Sequence, residues 1–407
     1  MKNLLVGQSG GPTSVINASL AGVIQNGIKS PEISKVLGTV NGIEGILSEN
    51  IISLDHFKDE DITILKQTPS SYLGSCRKKL PEVSDDEAIY KKIFEVFKKN
   101  DIGYFFYIGG NDSMDTAKKL SAYAIEKGID DIKIIGVPKT IDNDLVITDH
   151  TPGFGSCGKF VANSIRQLYL DTAVYNMKSI VIVEIMGRNA GWLAATAALA
   201  NSSDIHPVDI LCLPEVVFDV DKFIDKVSEV MKEKDTTIIA ISEGIKDKDG
   251  KYIGERKDLG TGADGFSHAA LGGVGKVVEH LLQTKLPEKI KTRTIEFSTL
   301  QRCFSATASK TDVDEAFSAG FMAVEFAKQG LTAVMPAFKR LSSNPYKMEI
   351  VPVNVSDVAN FEKEIPKDML ASDGFGVTEK FIEYAKPLIS GENPVIYKDG
   401  LIQFKVR

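Results

Sequence analysis

The feature that most constrains this chain is a recurring unit in which a short apolar run ends in a glycine-rich or polar turn, and the turn opens into apolar residues at helical spacing. Leu4–Gly7 runs into Gln8-Ser9-Gly10-Gly11-Pro12-Thr13, after which Val15, Ile16, Leu20, Val23 and Ile24 repeat with a helix period. The unit returns at 104–108 into Gly109-Gly110, at 132–137, at 179–185 into Met186-Gly187-Arg188, and at 236–241 before Ser242-Glu243-Gly244. Strands that alternate with helices need right-handed crossovers, which predicts an α/β protein with mostly parallel, doubly wound sheets covered on both faces. Ligands of such sheets gather beyond the carboxyl ends of the strands, where every polar cluster named above sits.

With 407 residues, 43% of them hydrophobic, the chain can bury two cores. Thr151-Pro152-Gly153-Phe154-Gly155 breaks the strand–helix rhythm and marks the expected crossing between domains. A net charge of −7 without a long basic block argues against nucleic acid or an anionic membrane as partner. No stretch approaches the ~20 apolar residues of a membrane span, and the N-terminal apolar run is too short for a signal peptide, so a cytoplasmic protein is expected. Cys76, Cys157, Cys212 and Cys303 lie far apart and form no zinc pattern with the five histidines, which predicts reduced structural thiols.

The chemistry concentrates in Val137-Pro138-Lys139-Thr140-Ile141-Asp142-Asn143-Asp144. One carboxylate there can accept a proton from an attacking hydroxyl, the other can hold Mg²⁺, and the ammonium can offset charge on a transferring phosphate. Read as an extended segment, it turns Asp142 and Asp144 to one side and Asn143 to the other. The alternative is an Asx-type turn with solvated acids. Gly10-Gly11 and Gly109-Gly110 offer backbone N–H groups at helix starts, suited to phosphate, or are tight turns only. Their spacing is neither a P-loop nor a dinucleotide fingerprint. Arg188 leaves a strand end between glycines that let a ligand approach the backbone, or is a surface arginine; Arg77, Arg166, Arg293 and Arg302 lie near other turns. Glu243 is placed to accept from a sugar hydroxyl or to cap a helix. His268 contacts phosphate or is a hydrogen-bonded structural histidine.

Together the clusters closely resemble the phosphofructokinase family, in family order: Ser9-Gly10-Gly11, Leu73-Gly74-Ser75-Cys76-Arg77, Gly109-Gly110-Asn111-Asp112-Ser113, Pro138–Asp144, Met186-Gly187-Arg188, Ser242-Glu243-Gly244 and Gln301-Arg302. The resemblance implies two similar domains with the active site in the cleft between them. A donor domain would span about 1–152 and 300–345, and a fructose 6-phosphate domain about 153–299 and 346–407. It also implies a homodimer or homotetramer in which neighbours complete each site. Asp112 and Lys139 stand where ATP-using members carry glycine, which marks the pyrophosphate-dependent branch. The physics agrees, since a carboxylate at Asp112 would crowd and repel an α-phosphate, while Lys139 supplies charge to a donor lacking a nucleotide anchor. The 308–316 and 358–362 segments resemble the same branch.

Carried over by residue, the resemblance implies Asp142 as the base for the sugar 1-hydroxyl and Lys139 as the stabiliser of the transferring group. Asp144 would assist through Mg²⁺ or the sugar. Thr140, Met186, Gly187, Arg188, Glu243 and Arg302 would serve fructose 6-phosphate, with Arg293 supplied by a neighbouring subunit. Gly11, Arg77 and Asp112 would lie on the pyrophosphate side. Three positions depart from the family. Asn111 replaces a Mg²⁺-side Asp with a weaker neutral ligand. Thr299 stands for a His or Tyr, and Lys178-Ser179 for an Arg, so the 6-phosphate would meet other donors. The alternatives within this fold are an ATP-dependent 6-phosphofructokinase and a non-catalytic regulatory subunit.

Overall fold

A computed structural model describes residues 1–255, 273–286 and 290–407. The chain forms two compact units, one of residues 1–156, 302–362 and 390–407, the other of residues 157–301 and 363–389.

In the first unit, β1 (Lys2–Gln8), β2 (Ile33–Thr39), β3 (Ile51–Ser53), β4 (Ile102–Gly109) and β5 (Lys133–Pro138) belong to a seven-stranded sheet. β1 pairs in parallel with β2 and β4, and β4 with β5. Alternation along these strands explains the double winding. Leu4, Val6, Phe106, Ile108, Ile135 and Val137 enter one core with Leu20, Ile24, Ala319 and Ala323 from the helices Ile16–Lys29 and Lys310–Lys328. Leu5, Phe105, Tyr107 and Ile134 enter the opposite core with Ile93, Phe97, Met114 and Leu120 from the helices Glu87–Lys99 and Asn111–Glu126. Strands buried on both faces carry the continuous apolar runs that made them legible.

In the second unit, β6 (Ser179–Ile185), β7 (Val208–Cys212), β8 (Thr236–Ser242) and β9 (Lys291–Glu296) form an all-parallel sheet in the order β7-β8-β6-β9. Ile180, Ile182, Ile239 and Ile241 pack on Phe223 and Val227 of the helix Val220–Glu233 and on Val277 and Leu281 of the helix Val274–Lys285.

Residues 346–362 and 390–407, expected with the second domain, belong to the first unit. β10 (Val334–Ser343) extends the first sheet beside β5, and β11 (Tyr346–Asn354) pairs antiparallel with β10 along its length. The C-terminal segment is tied to the start of the chain. Gln67 Nε2 donates to the carbonyls of Ile396 (3.1 Å) and Gln403 (2.7 Å), and Lys405 Nζ reaches Asp61 at 2.6 Å. These are long-range pairings that local composition does not encode. The passage between units falls after Ser156, just past the predicted Pro-Gly break.

Candidate active site

In the first unit, the ends of β1 and β5 bring a glycine turn and a lysine together. Gly10 adopts φ +76°, and the turn is held by Ser75 Oγ, which donates to Gly10 O at 2.6 Å. Lys139 Nζ donates to Gly11 O at 2.7 Å. A Cβ at Gly10 would stand 3.3 Å from Lys139 Nζ, and one at Gly11 would stand 3.2 Å from Arg302 Nη1. The glycines therefore serve close approach of cations, beyond forming a turn.

Lys139 is 3% exposed. Burial pushes its ammonium down to about 8, with Asp142 and Asp144 partly offsetting and the guanidinium groups of Arg302 and Arg77 pushing the same way as burial. Among the described residues, neither the Arg77 nor the Arg302 side chain has a hydrogen bond or ion pair of its own. Three cations thus converge on the glycine turn, an arrangement that favours a polyanion. Arg302, expected on the sugar side, lies in this cluster.

Asp142 and Asp144 do not alternate along an extended strand. Asn143 between them is fully buried at φ +55°, so the segment bends, and the expectation of an extended row is corrected. A hydroxyl turn replaces it: Asp142 N donates to Thr140 Oγ1 at 3.1 Å, and Thr140 Oγ1 donates to Asp142 Oδ2 at 3.2 Å. Burial raises the Asp142 carboxyl above the usual range, the Thr140 hydrogen bond, Lys139 and Arg302 pull it down, and Glu362 adds to the rise.

Asp112 stands exposed in the first turn of the helix Asn111–Glu126, where its carboxylate meets Lys79 Nζ at 2.7 Å. Asn111, expected beside the metal, is instead turned to the 358–362 segment. Its Oδ1 accepts from Asn360 N at 2.5 Å and its Nδ2 donates to Phe361 O at 2.6 Å. With both amide atoms committed, Asn111 fits a clamp on that turn better than a Mg²⁺ ligand. Among the described residues no group of three His, Cys, Asp or Glu is gathered for a metal. Mg²⁺ usually takes one or two carboxylates and completes its shell with phosphate oxygens and water, so Asp144 beside a polyanion site fits it.

In the second unit, the ends of β6 and β8 interlock. Ser242 Oγ donates to Gly187 O at 2.5 Å, and Gly187 N donates to Glu243 Oε1 at 3.3 Å. Gly187 has φ +142°, and a Cβ on Gly244 would stand 2.0 Å from Arg188 O, so both glycines are required for this approach. Met186 N donates to Gln301 Oε1 at 3.3 Å. Arg188 is exposed, with its guanidinium 5.5 Å from the Tyr252 ring centroid. The structure thus brings Met186, Gly187, Arg188 and Glu243 to one place. Arg293 is elsewhere: its register partner on β6 is Val181, roughly 16 Å along the strand from Met186. Arg293 Nη2 donates to Thr172 Oγ1 at 2.7 Å and to Asp171 at 3.2 Å. Arg166 ties Ala200 O, Ser202 and Asp204 and is structural. His268 lies outside the described residues.

The sequence reading passed over His150 and gave no role to Asp312 and Glu315 within the 308–316 segment, all of which bear on the Asp142 loop. The dense polar run Thr148-Asp149-His150-Thr151 was the available signal.

The chain matches the phosphofructokinase family model over residues 3–327, and it belongs to that family. It is 43% identical over 405 residues to a pyrophosphate–fructose 6-phosphate 1-phosphotransferase of Xanthomonas campestris pv. campestris, covering 99% of this chain and 95% of that one. It is 40% identical over 403 residues to the protein of the same name from Methylococcus capsulatus, covering 98% and 94%. Among solved structures, it is similar to the pyrophosphate-dependent phosphofructokinase of Nitrosospira multiformis, with a TM-score of 0.89 at 40% identity, covering 99% of this chain and 96% of that one.

Proposed function

We propose that this chain reversibly transfers a phosphoryl group from pyrophosphate to the 1-hydroxyl of fructose 6-phosphate, giving fructose 1,6-bisphosphate and phosphate. The observation that carries the reading is the buried Lys139, held on Gly11 O beside the guanidinium groups of Arg77 and Arg302 and next to Asp142. Asp142 takes the proton of the 1-hydroxyl as that oxygen attacks phosphorus, and burial, by raising its pKa, makes it a stronger base than a solvated carboxylate. The bridging P–O bond of pyrophosphate breaks, and Lys139, Arg77 and Arg302 take up the negative charge on the departing phosphate. The two sides of the reaction are of similar energy, so the same groups serve the reverse direction. Thr140 holds Asp142 in place. Asp144 would hold Mg²⁺, which would supply further charge neutralisation.

The second unit's Met186, Gly187, Arg188 and Glu243 take the sugar phosphate in this reading, with Glu243 accepting from hydroxyls. Arg293, far along β9 from that cluster, serves a neighbouring subunit's site, so the protein works as a homodimer or homotetramer. No helix among the described residues is long and apolar enough to cross a membrane, and we place the enzyme in the cytoplasm.

Purified protein assayed with fructose 6-phosphate and Mg²⁺ is expected to form fructose 1,6-bisphosphate with pyrophosphate and much more slowly with ATP. Faster turnover with ATP would sink the donor assignment. The absence of turnover with either donor would favour a regulatory subunit.

A further inference from the structure

We infer that His150, clamped to Glu315 with Asp312 alongside, is a positioning residue that fixes Thr140 and through it the catalytic carboxylate of Asp142. The inference rests on the reading of Asp142 as the base.

The loop from Lys139 to the helix Phe154–Thr172 folds back on its own start. Thr140 N donates to Pro152 O at 3.2 Å, and Thr151 Oγ1 donates to Thr140 O at 2.9 Å. Both backbone polar groups of Thr140 are thereby set by residues 151–152, while its hydroxyl sets Asp142. The orientation of the base is decided on the far limb of the loop.

That limb is held by charge. His150 is 1% exposed, with Nε2 at 2.7 Å from Glu315 Oε2 and Nδ1 at 3.0 Å from Asp149 Oδ1, and it stacks on Phe338 at 4.8 Å between centroids. Burial alone would lower its pKa, yet Glu315 and Asp149 hold it up at about 9, so the ring is an imidazolium donating both protons at neutral pH. Its partners are held in turn by further charged and polar groups. Arg340 on β10 donates to Asp149 at 2.8 Å, and Tyr346 on β11 donates to Glu315 Oε1 at 2.7 Å. Asp312, one helical turn before Glu315, accepts from Gly153 N at 2.9 Å and from Ser156 N at 2.8 Å. The first turns of the helix Lys310–Lys328 thus grip residues 149–156 at two levels. A grip of this strength on a segment carrying no reacting group is explained by what the segment holds, namely Thr140.

The test compares His150→Gln, Glu315→Gln and Asp142→Asn in the full chain, assayed with fructose 6-phosphate, pyrophosphate and Mg²⁺. The His150 and Glu315 variants are expected to lose about ten- to a hundredfold in kcat with both KM values within about twofold. Reduced thermal stability with unchanged kcat would overturn the inference. Should His150→Gln fail to fold, Glu315→Gln carries the same readouts. If Asp142→Asn keeps wild-type turnover, the reading of the base fails. If it is inactive while the other two variants keep kcat, only the positioning role fails.

Discussion

Replacing Lys139 by Met separates the stability of this protein from its function, with opposite expected signs. The ammonium is buried, and its fall from 10.5 to about 8 corresponds to about 3 kcal/mol against the charged form in the folded, ligand-free protein. Below pH 8 the lysine is charged in both folded and unfolded states, and the full cost is present. Between pH 8 and 10.5 the unfolded chain keeps a proton the folded chain has lost, so stability rises with pH across that window. Methionine, similar in shape, removes the cost at pH 7. It also removes the charge-assisted bond to Gly11 O, about 1.5–3 kcal/mol. The ligand-free variant should therefore be as stable as wild type or up to about 1.5 kcal/mol more so by urea denaturation. Pyrophosphate-dependent kcat/KM should fall about a hundred- to a thousandfold, as when a donor aimed at developing negative charge is lost. Pyrophosphate should raise the wild-type melting temperature less above pH 8 than below it, and the variant should show no such dependence. Destabilisation of the ligand-free variant by more than about 2 kcal/mol, or near-normal turnover, would refute this account of Lys139.

Asp112→Gly should raise ATP turnover relative to pyrophosphate turnover by roughly five- to tenfold, since an exposed like charge near a phosphate is worth about 1 kcal/mol; an unchanged donor ratio in parallel assays would count against repulsion as the cause. Chelating Mg²⁺ should abolish turnover while leaving the melting temperature of the ligand-free protein unchanged, because no preformed cluster of three ligands exists among the described residues. Gly320→Ala should destabilise by about 1–3 kcal/mol, as its Cβ would stand 1.9 Å from Ser19 O where the helices Ile16–Lys29 and Lys310–Lys328 cross; a melting temperature equal to wild type would show that the helices can part at no cost.

The strands legible in the sequence were those buried on both faces. β1, β4 and β5 read as apolar runs because each side of the strand meets a different core, and β6 and β8 because every position along them is buried. β10 and β11 were passed over because exposed positions interrupt their apolar residues, as at Lys339, Leu341 and Ser343 on β10. Tyr346–Asn354 was placed in the wrong unit for the same reason: its partner is fixed by pairing with β10, not by its own composition.

The site divided in the same way. Lys139, Thr140, Asp142 and Asp144 are neighbours in the chain at the end of one strand, as are Met186, Gly187 and Arg188 at another, so local sequence was enough to find them. It could not show that Asn143 takes a left-handed backbone and bends the row, that Asn111 spends its amide on residues 360–361, or that Arg302 comes to rest beside Gly11. Nor could it pair His150 with Glu315, 165 positions away. By itself the sequence determined which chemical groups stand at the strand ends, because strand periodicity and turn chemistry are local. The tertiary structure decided how those groups are aimed and how strongly they are charged, because aim depends on distant hydrogen bonds and charge on burial beside distant ions.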